Sequence, residues 1–158
     1  MATLGTCLWF DGQAREAAEF YTSIFPRSRI VGGADYLTET PSEKAVGSEM
    51  TVDFELDGRP FLALNGGPQF TFNEAVSIVV RTQGQEETDR YWESLLEGGG
   101  EPSACGWLKD RFGLSWQVVP EELDALLSDP DPDRARRAMQ AMLGQVKIDI
   151  AEIQAAAG

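Results

Sequence analysis

Few side chains in this chain are of the right type and spacing to do chemistry. Lys109-Asp110-Arg111 is the densest charged cluster beside strand-like apolar sequence. In a site, Lys109 or Arg111 would bind an anionic substrate group, and Asp110 would orient it or act as a base. On a surface, the same residues form the polar shoulder of a hairpin, with ion pairs worth at most ~1 kcal/mol. Cys105 could be a nucleophile, with only Lys109 near in sequence to stabilise a thiolate. Asn65-Gly66-Gly67-Pro68 could offer backbone N–H groups to an anion or simply turn the chain. The strongest constraint is a missing residue type: the 158 residues include no histidine. That excludes a Ser-His-Asp triad, a Cys-His pair, an H-E-x-x-H zinc motif and histidine general-base catalysis.

Composition narrows the partners. There are 13 Lys+Arg against 26 Asp+Glu, a formal net charge of −13. Nucleic acid and anionic lipid both call for clustered basic residues, so neither is expected as a partner. The 42% hydrophobic and 25% charged fractions indicate a folded chain, long enough for one domain or two small modules sharing a core. The start has no basic segment and no apolar run approaches a membrane span, so a cytoplasmic protein is expected. Cys7 and Cys105, far apart in sequence, are read as buried thiols rather than a disulfide.

The elements that would position these residues repeat. Leu4 to Phe10 reads as a strand broken by Asp11-Gly12, and Ala14, Ala17, Ala18, Tyr21, Ile24 and Phe25 then fall on one helical face before Pro26. Arg29 to Tyr36 and the alternating Met50 to Leu56 follow as strands around a polar loop. Asp57-Gly58 signals a hairpin returning through Phe61 to Leu64. A second round begins with a strand at 75–80 and a helix burying Thr88, Tyr91, Trp92, Leu95 and Leu96, ended by Gly98–Gly100. A shift of 71 residues carries Ala17, Tyr21, Ile24 and Phe25 onto Thr88, Trp92, Leu95 and Leu96. A hairpin over 107–119, turning at Phe112-Gly113, closes the round. After Pro120 the chain reads as helix, with Asp129-Pro130-Asp131-Pro132 as an acidic break and N-cap. The stripe Ala135, Ala138, Met139, Met142 and Leu143 has no core of its own in sequence, so it must dock on the modules or on another subunit.

This doubled pattern resembles the vicinal oxygen chelate superfamily of glyoxalase I, extradiol dioxygenases and bleomycin-resistance proteins. Within it the chain is most similar to the PhnB-like group, also called 3-demethylubiquinone-9 3-methyltransferase-like. The resemblance is carried by residues 8–12 (LWFDG) with 17–21 (AAEFY), 61–67 (FLALNGG), 106–120 (GWLKDRFGLSWQVVP), and the tail segments 129–131 and 147–151. It implies an α+β fold of two βαβββ modules, the glyoxalase/bleomycin-resistance-like fold, at about 1–68 and 73–120. These would form one domain over 1–120, with a C-terminal helical extension over 121–158. It also implies a homodimer, for which the stripe from Ala135 to Leu143 is the expected interface.

The resemblance also implies a cup lined by inward side chains of both sheets. Candidates are Thr6, Leu8, Ala63, Asn65, Ser77, Val79, Trp107, Lys109, Trp116 and Gln117, of which strand alternation admits only some. Metal-dependent relatives carry ligands at places that fall here near Thr6, within 62–64, near Ser77 and at Gln117. None is a histidine or carboxylate, and only the Gln117 amide oxygen could touch a hard cation, so no metal and no cofactor are expected. A Rossmann-type methyl-donor site would need a glycine-rich loop leading into a helix. Gly32-Gly33 is followed by strand and loop instead, and reads as a turn or bulge. The expectation is therefore a metal-free protein that binds a small molecule in an aromatic cup. The alternative is an enzyme of lyase, isomerase or dioxygenase type, using an unorthodox metal or acid–base work by Asp110 and Lys109.

Overall fold

A computed structural model describes residues Met1–Gly158. The chain forms two compact units, Met1–Phe72 and Asn73–Gly158. The first contains β1 (Thr6–Phe10), α1 (Ala14–Ile24), β2 (Arg29–Asp35), β3 (Glu49–Leu56) and β4 (Arg59–Asn65). The second repeats the order with β5 (Ser77–Thr82), α2 (Gly84–Leu96), β6 (Glu101–Pro102), β7 (Trp107–Lys109) and β8 (Ser115–Pro120). It then adds α3 (Glu121–Leu127), α4 (Pro132–Leu143) and α5 (Ile150–Ala157). Each unit has one four-stranded sheet, ordered β1-β4-β3-β2 and β5-β8-β7-β6. In each, the first strand pairs parallel with the last and the other pairings are antiparallel. This is an α+β fold of two βαβββ modules.

Local chemistry explains the elements. Asp57 and Gly58 both have positive φ, 49° and 76°, the two-residue turn whose twist suits a hairpin, and β3 and β4 pair across it from Leu56–Arg59 to Thr51–Leu64. α1 buries Ala14, Ala17, Ala18, Phe20 and Tyr21. Three alanines let it lie close on β3 and β4, where Tyr21 stacks on Phe54 at 6.3 Å. Gly32-Gly33 lies within β2, where the register shifts between Ile30 and Gly32. A Cβ on Gly33 would sit 2.2 Å from the Thr51 carbonyl oxygen, so only glycine allows β2 to approach β3 there.

β6 is too short, at two residues, to show a period, and it was not legible in the sequence. The tail does have a small core. Leu123, Ala138, Ile148, Ile150, Ile153 and Ala157 form a buried cluster, with Val119, Met142 and others packed against it. The α4 stripe is thus divided: Ala138 is fully buried, whereas Met139 and Leu143 are 47% and 61% exposed. Asp131 caps α4 through the Asp133 N–H, and Asp149 caps α5 through the Glu152 N–H. Gln85 ties the tail to α2: its amide donates to Ile148 O and accepts from Ile150 N, both at 2.9 Å.

Candidate functional site

Side-chain alternation decides which candidates can meet a ligand. In the second sheet, Ile78 pairs with Trp116, Val80 with Val118 and Thr82 with Pro120, and these residues turn toward the α2 side. Ser77, Val79, Trp107, Lys109, Ser115 and Gln117 share the opposite, open face. Four predicted residues therefore come together there: Ser77, Trp107, Lys109 and Gln117. The Gln117 amide donates to the Ser77 hydroxyl at 2.9 Å. Trp116 is not among them. It is 1% exposed on the helix-covered face, and its indole N–H donates to Asp110 at 2.8 Å.

The first sheet is one step out of phase with the sequence expectation. Leu8, Phe10, Ala63 and Asn65 are buried on the α1 side, and Cys7, Trp9, Leu62 and Leu64 alternate to the other. Asn65 is structural in its contacts, since its side chain accepts from Ala14 N at 2.9 Å and donates to Glu49 O at 3.0 Å. Thr6 is exposed at the edge of an open depression of about 500 Å³ that Cys7, Asp53 and Leu62 also line. The 71-residue shift holds for the helices, but the buried strand residues Leu8 and Phe10 correspond to Val80 and Thr82, 72 residues on. Three residues separate β1 from α1 whereas only Gln83 separates β5 from α2. A one-residue slip turns every strand side chain over.

The same slip corrects the reading of Cys7 as a buried thiol. It is exposed, partial burial raises its pKa, and both cysteines are free. Trp9, on the open side, donates its indole N–H to Gly67 O at 2.8 Å and meets Phe70 edge-on at 5.0 Å. A Cβ on Gly66 would lie 2.3 Å from the Trp9 ring, so glycine there is a steric need.

Asp110 is 3% exposed. Its Oδ1 accepts from the N–H groups of Phe112 and Leu114 at 2.8 and 3.1 Å, and its Oδ2 from Trp116. With both oxygens committed to the β7–β8 turn, it positions the hairpin and is not presented to a substrate. Lys109 instead forms an ion pair with Glu74. The hydrogen bond from Lys109 and its charge hold the Glu74 carboxyl below the usual range, while Glu74 and then Glu101 raise the Lys109 ammonium. Lys109, Trp107, Ser115, Glu74 and Glu101 line a depression of about 160 Å³. Ser115 and Glu101 were missed in the sequence, although the turn length implies that Lys109 lies opposite Ser115.

Residues 2–119 match the family model described as 3-demethylubiquinone-9 3-methyltransferase. The chain belongs to this family. A PhnB protein from Bacillus cereus bearing the same methyltransferase name is 31% identical, with a TM-score of 0.65 over 75% of this chain and 99% of that one. Protein PA1353 from Pseudomonas aeruginosa is 19% identical, with a TM-score of 0.61 over 77% of this chain and 98% of that one, and shares the fold. A glyoxalase/bleomycin resistance protein from Albidiferax ferrireducens T118 is 15% identical, covering 74% and 96% of the two chains at a TM-score of 0.47. No curated protein matches the chain significantly. The tail helices lie beyond the matched segment. No helix is long and apolar enough to cross a membrane.

The divalent metal that the resemblance to metal-dependent relatives implies does not fit these residues. At the second-sheet ligand places, Ser77 and Gln117 are neutral and hydrogen-bonded to each other. In the first sheet, Leu62 and Leu64 hold the open-face positions of β4. No three His, Cys, Asp or Glu side chains gather where they could hold a metal ion. A neutral amide and a hydroxyl lack the charge and donor number that divalent ions require.

Proposed function

We propose that this protein binds a small organic molecule on the open face of its second sheet and needs no divalent metal to do so. The Gln117–Ser77 hydrogen bond carries the reading: the two side chains at the family's ligand places satisfy one another. The same face offers an aromatic ring, Trp107, with a few polar groups around it, the usual make-up of a small-molecule site. Methyl transfer finds no support, because Gly32-Gly33 belongs to strand β2 rather than to a loop leading into a helix. Acid–base catalysis by Asp110 finds none either, since its carboxylate is tied to the hairpin. Elemental analysis of protein purified without chelator tests the metal half. Sub-stoichiometric divalent metal is expected, and a stoichiometric ion lost in Gln117→Ala would overturn it. Screening small aromatic compounds tests the other half: Trp107→Ala should abolish binding, and binding unchanged in that variant would refute this location.

A further inference from the structure

We propose that the ligand taken by this face is a small organic ammonium ion, its charged head beside Glu101 and Ser115 and its apolar body against Trp107. The inference rests on the reading that this face binds a small molecule, and it names the chemical class. Strand register supplies the geometry. Glu101 pairs with Lys109, Lys109 with Ser115, and Ser115 with Ser77, so one row of polar side chains crosses all four strands on one face. Neighbouring members of such a row lie about 5 Å apart. The next row carries Trp107, Gln117 and Val79, the last 46% exposed.

The charges in this corner do not balance. Lys109 is taken up by its ion pair with Glu74, and Glu101 opposite it forms no ion pair. Two carboxylates therefore face one ammonium around the depression. An anionic head would have to displace Glu74 from Lys109 and then lie against Glu101. A cationic head instead compensates Glu101 and leaves the existing pair intact. Ser115 adds an independent sign of a ligand: it is 1% exposed, its Oγ has no hydrogen-bond partner, and it lines the same depression. A hydroxyl can accept from an ammonium N–H, which would satisfy that buried oxygen. About 160 Å³ accommodates an ammonium and its first carbons, so a larger body must extend along the Trp107 row. The indole face attracts a cation as well as apolar carbon. The net charge of −13 also raises the local concentration of cations.

The test uses the full chain and three probes of one shape: benzylamine, benzyl alcohol and benzoate. Binding is followed at pH 7 and moderate salt by calorimetry and by the shift of the Trp107 indole signal in a 15N–1H spectrum. Benzylamine should bind about ten-fold tighter than benzyl alcohol, and benzoate not measurably. Glu101→Gln should weaken benzylamine about ten-fold and leave benzyl alcohol unchanged, whereas Lys109→Met should not weaken benzylamine. Circular dichroism checks that each variant is folded. If benzyl alcohol or benzoate binds as well as benzylamine and is lost in Trp107→Ala, the face binds small molecules but the ammonium assignment is wrong. Benzylamine binding that ignores both Glu101→Gln and Trp107→Ala lies elsewhere and overturns the assignment. If none of the three binds at millimolar concentration, both the assignment and the binding role of the face fail.

Discussion

Asp110 offers the sharpest test of how the candidate face is held together. Strand β7 is only three residues long, so its pairing with β8 depends on the turn that joins them. That turn is built around one buried carboxylate accepting three N–H groups: Phe112 at 2.8 Å, Leu114 at 3.1 Å and the Trp116 indole at 2.8 Å. Hydrogen bonds to a charged acceptor are worth roughly 1.5–3 kcal/mol each, and an orphaned buried donor costs about 1–3 kcal/mol. Asp110→Asn keeps one carbonyl oxygen, so it serves either the two backbone donors or the indole, and at least one donor faces an NH2 group. The expected loss is about 2 kcal/mol, or about 4–8 °C in Tm for a chain of this size. Asp110→Ala abandons all three donors, and with Phe112 partly able to find water the expected loss is roughly 3–5 kcal/mol. Urea unfolding followed by circular dichroism and tryptophan fluorescence measures both. Trp116→Phe provides the control, because it removes the indole donor. In that background Asp110→Asn should cost at least about 1 kcal/mol less than in the native chain. A loss below about 0.5 kcal/mol for Asp110→Asn, or no coupling to Trp116→Phe, would refute the view that this carboxylate holds the hairpin.

The tail yields two further predictions. Gln85→Ala strips partners from the Ile148 carbonyl and the Ile150 N–H, so hydrogen exchange should accelerate across 146–153. Global stability should fall by about 1–3 kcal/mol in the same variant. Asp89 accepts from Lys147 at 2.6 Å and from Gln85 at 2.9 Å, and these bonds hold its carboxyl below its ordinary value of 3.8. Because the folded pKa is the lower one, this contribution is complete above pH ~4 and is lost as pH falls through the folded value. Both partners are partly exposed, so the contribution is at most ~1 kcal/mol and weakens with salt. Comparing the acid unfolding of native protein with that of Asp89→Asn checks this: the native chain alone should lose that increment below pH 4.

Much of the repeated fold is legible along the chain because each signal is local. The Asp57-Gly58 turn needs two positive φ values, the alanine-rich face of α1 follows a 3.6-residue period, and Asp131-Pro132 caps a helix in sequence as in space. The candidate face was half legible. Of the candidates on the second sheet, Ser77, Trp107, Lys109 and Gln117 share one face, and Trp116 lies on the other. Thr6, Leu8, Ala63 and Asn65 are expected in the cup from the resemblance, but Leu8, Ala63 and Asn65 are buried on the α1 side, one residue out of phase. Burial at Leu8 and Phe10 is the signal that corrects it, because apolar residues two apart in a half-buried strand belong to the core face.

What the sequence determined by itself is the doubled βαβββ pattern and the absence of histidine, since periodicity and composition require no knowledge of what lies opposite what. Whether Asp110 is a base or a brace, and whether Ser115 has a partner, was decided only by the tertiary structure. Both answers depend on which N–H groups and strands meet a side chain across the sheet, and a linear sequence does not carry that register. The acidic composition gave a charge for the whole chain; only the row Glu101–Lys109–Ser115–Ser77, with Glu74 already on Lys109, showed where a carboxylate stands outside any ion pair.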